Sequence, residues 1–207
     1  MTLLITFLLT FVLFGTDSST HYAELTQSLA VLAKICTDED AAALRGKLAD
    51  DNNKMVKTTL SQLLYKFEAL LADKSNYGKY VFNRINADWG GMLFKGATSF
   101  WETLNGASDF DNAGSLCHGW STIPVYLYYA YLVGIKPLEP GFKKFAFDPS
   151  ACAVDFHEGH IATPSGVIKI KMQRINDRLV GELGHPRQLN PVFSATAIGK
   201  EIRIFAY

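Results

Sequence analysis

One run, residues 96–121 (GATSFWETLNGASDFDNAGSLCHGWS), gathers the groups that could do chemistry: Trp101, Glu102, Asp109, Asp111, Asn112, His118 and Trp120. Gly96-Ala97 and Gly106-Ala107 bracket residues 98–105, so the backbone can turn sharply on both sides. Glu102 directly follows Trp101. A carboxylate beside a large indole is partly desolvated, which moves its pKa toward that of a useful general acid or base. Local composition alone favours the simpler reading, an exposed loop glutamate. His118 precedes Gly119-Trp120 at the start of a helical pattern. A satisfied structural histidine and a ligand-binding one fit that position equally.

Other chemistries find no anchor. Asp109-Phe110-Asp111-Asn112-Ala113-Gly114 begins like a calcium loop but fails at its fifth position, Ala113, and its twelfth, Trp120, where a bidentate glutamate belongs. It reads as turn, built by side-chain to backbone hydrogen bonds. His157-Glu-Gly-His160 has the wrong spacing for a two-histidine zinc helix and reads as strand and turn. Three scattered cysteines (Cys36, Cys117, Cys152) make neither a disulfide framework nor a zinc pair. There is no G-x-S-x-G, G-x-G-x-x-G or P-loop. No metal and no cofactor is expected. The 207 residues balance 20 Lys+Arg against 20 Asp+Glu, so no charge excess suits nucleic acid or an anionic membrane surface. What remains is carboxylates and aromatics. That combination suits sugars, whose CH faces stack on indoles while carboxylates and imidazoles bind hydroxyls.

The elements that position this run are helices. Tyr22, Leu25, Leu29 and Leu32 share one helical face, and Val56, Leu60, Leu63, Leu64, Phe67, Leu70 and Leu71 form an apolar stripe. Thr59 and Gln62 match a capping box at the start of that stripe. Further helices are predicted over 77–89 and 120–133. At Pro137-Leu-Glu-Pro-Gly141 the pattern stops, and beyond it the period becomes two: Ile168, Ile170 and Met172 alternate with Lys169, Lys171 and Gln173. The expected architecture is helices over 1–137 followed by a small antiparallel β-sandwich over 138–207, with Ile168, Ile170 and Met172 facing inward. Residues 1–12 are an atypical hydrophobic start. The apolar run 3–14 is too short to span a bilayer and lacks a basic n-region and a small-residue cleavage site, so it is only weakly signal-like. It leaves cytoplasmic and secreted locations both open.

Taken together, GATSFWE, SLCHGWSTIPVYL and LVGIKPLEPGF, in this order and with the helix-to-strand switch among them, resemble the C-terminal part of the α-L-rhamnosidases of glycoside hydrolase family 78. The likeness starts near Leu13 and covers about nine-tenths of the chain. It implies the last part of an (α/α)6 six-hairpin barrel, then the β-sandwich, and a carbohydrate substrate, a terminal α-L-rhamnoside or similar glycoside. It places Glu102 on the family's general base and His118 on a histidine that contacts the sugar, with Trp101 and Trp120 near the pocket. Such enzymes act by inversion, one carboxylic acid protonating the leaving oxygen while a carboxylate activates water. The family's general acid lies upstream of GATSFWE, and residues 1–20 hold no matching acidic motif. The expectation is therefore a glycosidase fragment that carries the base without the acid. The alternative is a non-catalytic carbohydrate-binding or interaction module derived from the same fold.

Overall fold

The computed structural model describes residues 21–150, 152, 154–176, 178–194 and 201–207, and among them five α-helices precede seven strands. The apolar run 3–14 lies outside them. The chain divides into two compact units, the first ending at Thr122 and the second running from Ile123 to Tyr207. That division falls inside the predicted helix 120–133, whereas the sequence pattern put the change at 137/138. Among the described residues no helix is long and apolar enough to cross a membrane.

In the first unit, helices α1 (Glu24–Leu32), α2 (Asp38–Leu48), α3 (Leu63–Leu71) and α4 (Lys74–Phe94) pack on one another. Helix α2 has a strong start: the Thr37 hydroxyl accepts from the Asp40 N–H, Asp38, Glu39 and Asp40 fill the first turn, and Arg45 and Lys47 fill the last. The stripe on α3 is buried at Leu60, Leu63, Phe67, Leu70 and Leu71, but Val56 is 57% exposed. Val56 belongs instead to a short bridge, where its N–H donates to Tyr22 O and its carbonyl accepts from Glu24 N–H. The capping box does not form: Thr59 Oγ1 shares a hydrogen bond with Ser61 Oγ. Helix α4 runs past the predicted 77–89 at both ends.

Helix α1 corrects the sequence reading. Its buried face is Glu24, Gln27, Ser28, Ala30 and Val31, while Leu29 is 42% exposed. The reason is a partner far along the chain. Glu24 Oε1 accepts from Lys66 Nζ at 2.9 Å, from Asn53 Nδ2 at 2.9 Å and from Lys57 Nζ at 3.3 Å, and Oε2 accepts from Thr58 N–H at 3.0 Å. A carboxylate so well paired is tolerated inside, and it turns the polar side of α1 toward α3.

The second unit opens with helix α5 (Ile123–Leu127), continued by one π-helical turn over Tyr128–Leu132. Strands β1 (Ile135–Pro137), β2 (Lys144–Phe147) and β6 (Asn190–Phe193) form one sheet, and β3 (Phe156–Thr163), β4 (Gly166–Ile175), β5 (Arg178–His185) and β7 (Glu201–Ala206) the other. Pairing is mostly antiparallel, but β2–β6 and β5–β7 are parallel, so the sheets are mixed and not purely antiparallel as expected. Both inner faces share one core: Val133, Ile135, Phe145 and Phe147 meet Ile168, Ile170, Met172 and Leu183. The predicted register holds. Ile168, Ile170 and Met172 are at most 3% exposed, and Lys169 and Lys171 stand outside.

His157 on β3 is fully buried near the Tyr128 ring. Burial holds its imidazole below the usual histidine value, against a weaker opposing contribution from the Ser150 backbone. The unfolded chain therefore binds this proton more tightly than the folded one. Stability should be full above the ordinary value of 6.5 and should decline as pH falls below it. Urea midpoints at pH 7.5 and 5.5 check this: the drop should shrink in His157→Gln, and an equal drop in both proteins would exclude His157 as its source.

Candidate active site

Two left-handed glycines make the corners of the site loop: Gly96, at φ +87°, ends α4, and Gly106, at φ +60°, starts a 3₁₀ turn over Gly106–Ser108. Between them the chain runs through bends and turns and pairs with the returning segment 115–118. Glu102 N–H donates to Ser115 O at 2.9 Å, and His118 N–H donates to Phe100 O at 2.7 Å. The Glu102 side chain closes the same pair: its Oε2 accepts from Ser115 N–H at 3.0 Å. The carboxylate is thus held at one oxygen by a backbone donor from 13 residues further on.

The partners gather on the returning segment. Trp120 Nε1 donates to Glu102 O at 3.3 Å, and the Trp120 ring stacks on His118, centroids 3.4 Å apart and planes 19° apart. Trp120 stays 40% exposed. His118 Nδ1 is buried and has no hydrogen-bond partner among the described residues. The structure therefore brings Glu102, His118 and Trp120 into one neighbourhood. Trp101 is placed differently. Its indole is 8% exposed and lies against Gly106, and its carbonyl accepts from Ser121 Oγ. Little of that ring is left for a sugar face. Ser121 also accepts from Trp89 Nε1 at 2.8 Å, which ties the loop to α4.

Asp109 and Asp111 lie on the excursion between the two paired segments, where Asp109 O accepts from both Ala113 N–H and Gly114 N–H. Phe110, Asp111 and Asn112 all take positive φ, +53°, +56° and +67°. This is a tight left-handed turn, as the composition suggested. The loop returns over Gly114, where a Cβ would stand 2.0 Å from Gly106 O. Gly114→Ala should cost about 1–3 kcal/mol and displace Ser115 from Glu102. A thermal melt checks this; an unchanged melting temperature would show that the loop rearranges freely.

Sequence reasoning missed Ser115 and Ser121. Ser115 acts through its backbone, for which side-chain chemistry leaves no signal, although both residues fall inside SLCHGWS. Among the described residues no cluster of three or more His, Cys, Asp or Glu could hold a metal.

Comparison with known proteins finds α-L-rhamnosidases. The bacterial α-L-rhamnosidase C-terminal domain family matches residues 134–189. An α-L-rhamnosidase of Alteromonas sp. (strain LOR) is 35% identical over 104 residues, 47% of this chain and 11% of the relative. The solved rhamnosidase of Bacillus sp. GL1, of glycoside hydrolase family 78, superposes with a TM-score of 0.77 at 24% identity, over 91% of this chain and 20% of that one. The Streptomyces avermitilis α-L-rhamnosidase, solved with L-rhamnose, gives 0.57 at 17% identity, over 75% of this chain and 16% of that one. At such identities the structural likeness is one of fold. This chain spans about a tenth to a fifth of the length of these relatives. The likeness of this chain is thus to the α-L-rhamnosidases, by the family match over residues 134–189, by sequence over 104 residues and by fold over most of its length.

Proposed function

We propose that this chain supplies the base-bearing part of an inverting α-L-rhamnosidase, with helices α1–α4 as the last part of a six-hairpin barrel. Glu102 is the general base: one carboxylate oxygen is fixed by Ser115 N–H, which orients the other toward a water molecule. The stacked His118 and Trp120 hold the sugar, the imidazole by its hydroxyls and the indole by its CH face. Trp101 positions the loop from beneath. The observation that carries this reading is the meeting of Glu102, His118 and Trp120 through one backbone pairing.

The general acid belongs to sequence outside these residues. Inversion needs two carboxyl groups about 6.5–9.5 Å apart across the bond, approaching from opposite faces. Asp109 and Asp111 sit on the same loop excursion as the base, and hydrogen bonding within the turn occupies Asp109 with Asn105 Nδ2 at 3.1 Å. Leu93 and Phe94, 69% and 96% exposed at the end of α4, are apolar surface of the kind a further barrel helix would cover. That surface also favours self-association.

The purified 207-residue chain should therefore release no nitrophenol from an aryl α-L-rhamnoside at an enzymatic rate. Turnover of about 1 s⁻¹ or faster, abolished by Glu102→Gln, would show that the acid is already present. The alternative, a carbohydrate-binding module without catalysis, predicts sugar binding that Glu102→Gln leaves intact and no hydrolysis even when an acid-bearing barrel is joined to it.

A further inference from the structure

The outer face of the four-stranded sheet carries an ordered set of side chains that the core does not explain. Strand register aligns Glu158, Lys171, Glu182 and Arg203 in one row across β3, β4, β5 and β7. The next row aligns Phe156, Gln173 and Val180. Between the rows lies a hollow of about 340 Å³, lined by Phe156, Lys171, Gln173, Glu182 and Arg203, with Met172 and Gly181 also lining it. That volume is at the lower end of the ~300–1,000 Å³ usual for small-molecule sites. A Cβ on Gly181 would meet Lys171 O at 2.1 Å, so β5 comes this close to β4 only without a side chain.

The chemistry of the lining selects the ligand. Phe156 is 49% exposed, an apolar ring beside polar groups. The Gln173 amide, the Glu182 carboxylate and the Arg203 guanidinium are planar and present paired hydrogen-bonding atoms, which match adjacent hydroxyls on a sugar ring. Lys171 pairs with Glu158 at 3.7 Å, and Arg203 lies over the Phe205 ring at 5.5 Å, while the Glu182 side chain makes no hydrogen bond or ion pair among the described residues. An anion entering between Lys171 and Arg203 would face the Glu182 carboxylate, and a purely apolar ligand would strand the charges. A neutral polyhydroxylated ring satisfies both halves, stacking on Phe156 and hydrogen bonding to the row.

We propose that the outer face of the β3–β4–β5–β7 sheet is a second, non-catalytic binding site for a neutral glycan, separate from the Glu102 loop. It does not rest on Glu102 being a base. The site binds its sugar without changing it.

Saturation-transfer NMR on the whole chain tests it, with methyl α-L-rhamnoside and cellotetraose as probes and inorganic phosphate as the anionic competitor. At least one saccharide should bind with a Kd on the order of 1–10 mM. Phe156→Ala and Glu182→Ala should each weaken it about tenfold, and Lys79→Ala, an exposed change on α4, should leave it unchanged. Phe156 and Glu182 are both exposed, and Gln173→Ala gives an independent reading should Phe156→Ala lower the melting temperature. No saccharide binding, binding untouched by the sheet variants, binding lost in Lys79→Ala, or displacement by phosphate would each overturn the assignment.

Discussion

Glu102→Gln, in an enzyme chain that also carries the acid, should lower kcat by about 10²–10⁴ while leaving the melting temperature nearly unchanged. The amide is close to isosteric, and its carbonyl oxygen can still accept from Ser115 N–H, so the loop keeps its anchor. Under the proposed role it loses only the ability to take a proton from water, a deficit of roughly 3–5 kcal/mol in the transition state. The pH profile should change as well, because the limb that reports the base disappears. Near-normal kcat in this variant would remove Glu102 from the mechanism and favour the binding-module reading.

The largest effect on folding is expected from Glu24→Ala. Glu24 is 1% exposed and Lys66 6% exposed, and removing the carboxylate leaves a buried ammonium without its counter-charge. Loss of one member of such a pair costs about 3–5 kcal/mol. Burial alone would push the Glu24 carboxyl up, but the hydrogen bond from Asn53, the hydrogen bond and charge of Lys66 and the Thr58 N–H outweigh it and hold it at about 2. A folded-state value depressed from 4.5 means that this contribution is fully present above about 4.5 and is lost as pH falls from there toward 2. Replacing both partners together, Glu24→Leu with Lys66→Met, should recover most of the loss, since an apolar pair of similar size avoids desolvation altogether. Urea unfolding of the single and double variants measures this. A single-variant loss under about 1 kcal/mol would mean that water reaches Lys66.

These two residues also show what could be read from the sequence and what could not. The strand alternation at 168–173 is a local signal with period two, and the sheet obeys it to the residue. Helix α1 was misread because apolar periodicity looks for a buried stripe of leucines. Its buried face is set instead by Lys66, 42 residues away, and no window along the chain contains both partners. The parallel pairing of β7 with β5 was hidden for the same reason: pairing across an intervening strand and loop is non-local. At the site, composition alone made Glu102 an exposed loop residue, and only the resemblance of GATSFWE and CHGWS raised it to a base. The family match covers residues 134–189, beyond both motifs, and the solved rhamnosidase shares the fold. The resemblance set Trp101 beside Trp120 near the pocket. The fold buries Trp101 against Gly106 and leaves Trp120, on a 3₁₀ turn, at the surface.

The double hold on Glu102 has one more consequence. Residues 102 and 115 are joined by a backbone bond and by a side-chain bond, so the dozen residues between them form a closed loop whose ends are already fixed. Lengthening such a loop costs little, roughly 0.6 kcal/mol per doubling. Everything from Thr103 to Gly114 is thus free to diverge in length and composition without moving the carboxylate, provided Gly106 and Gly114 keep their close approach. Changes in sequence and length should concentrate at the tip formed by Phe110, Asp111 and Asn112. There the chain can be rewritten while the Glu102 carboxylate stays where it is.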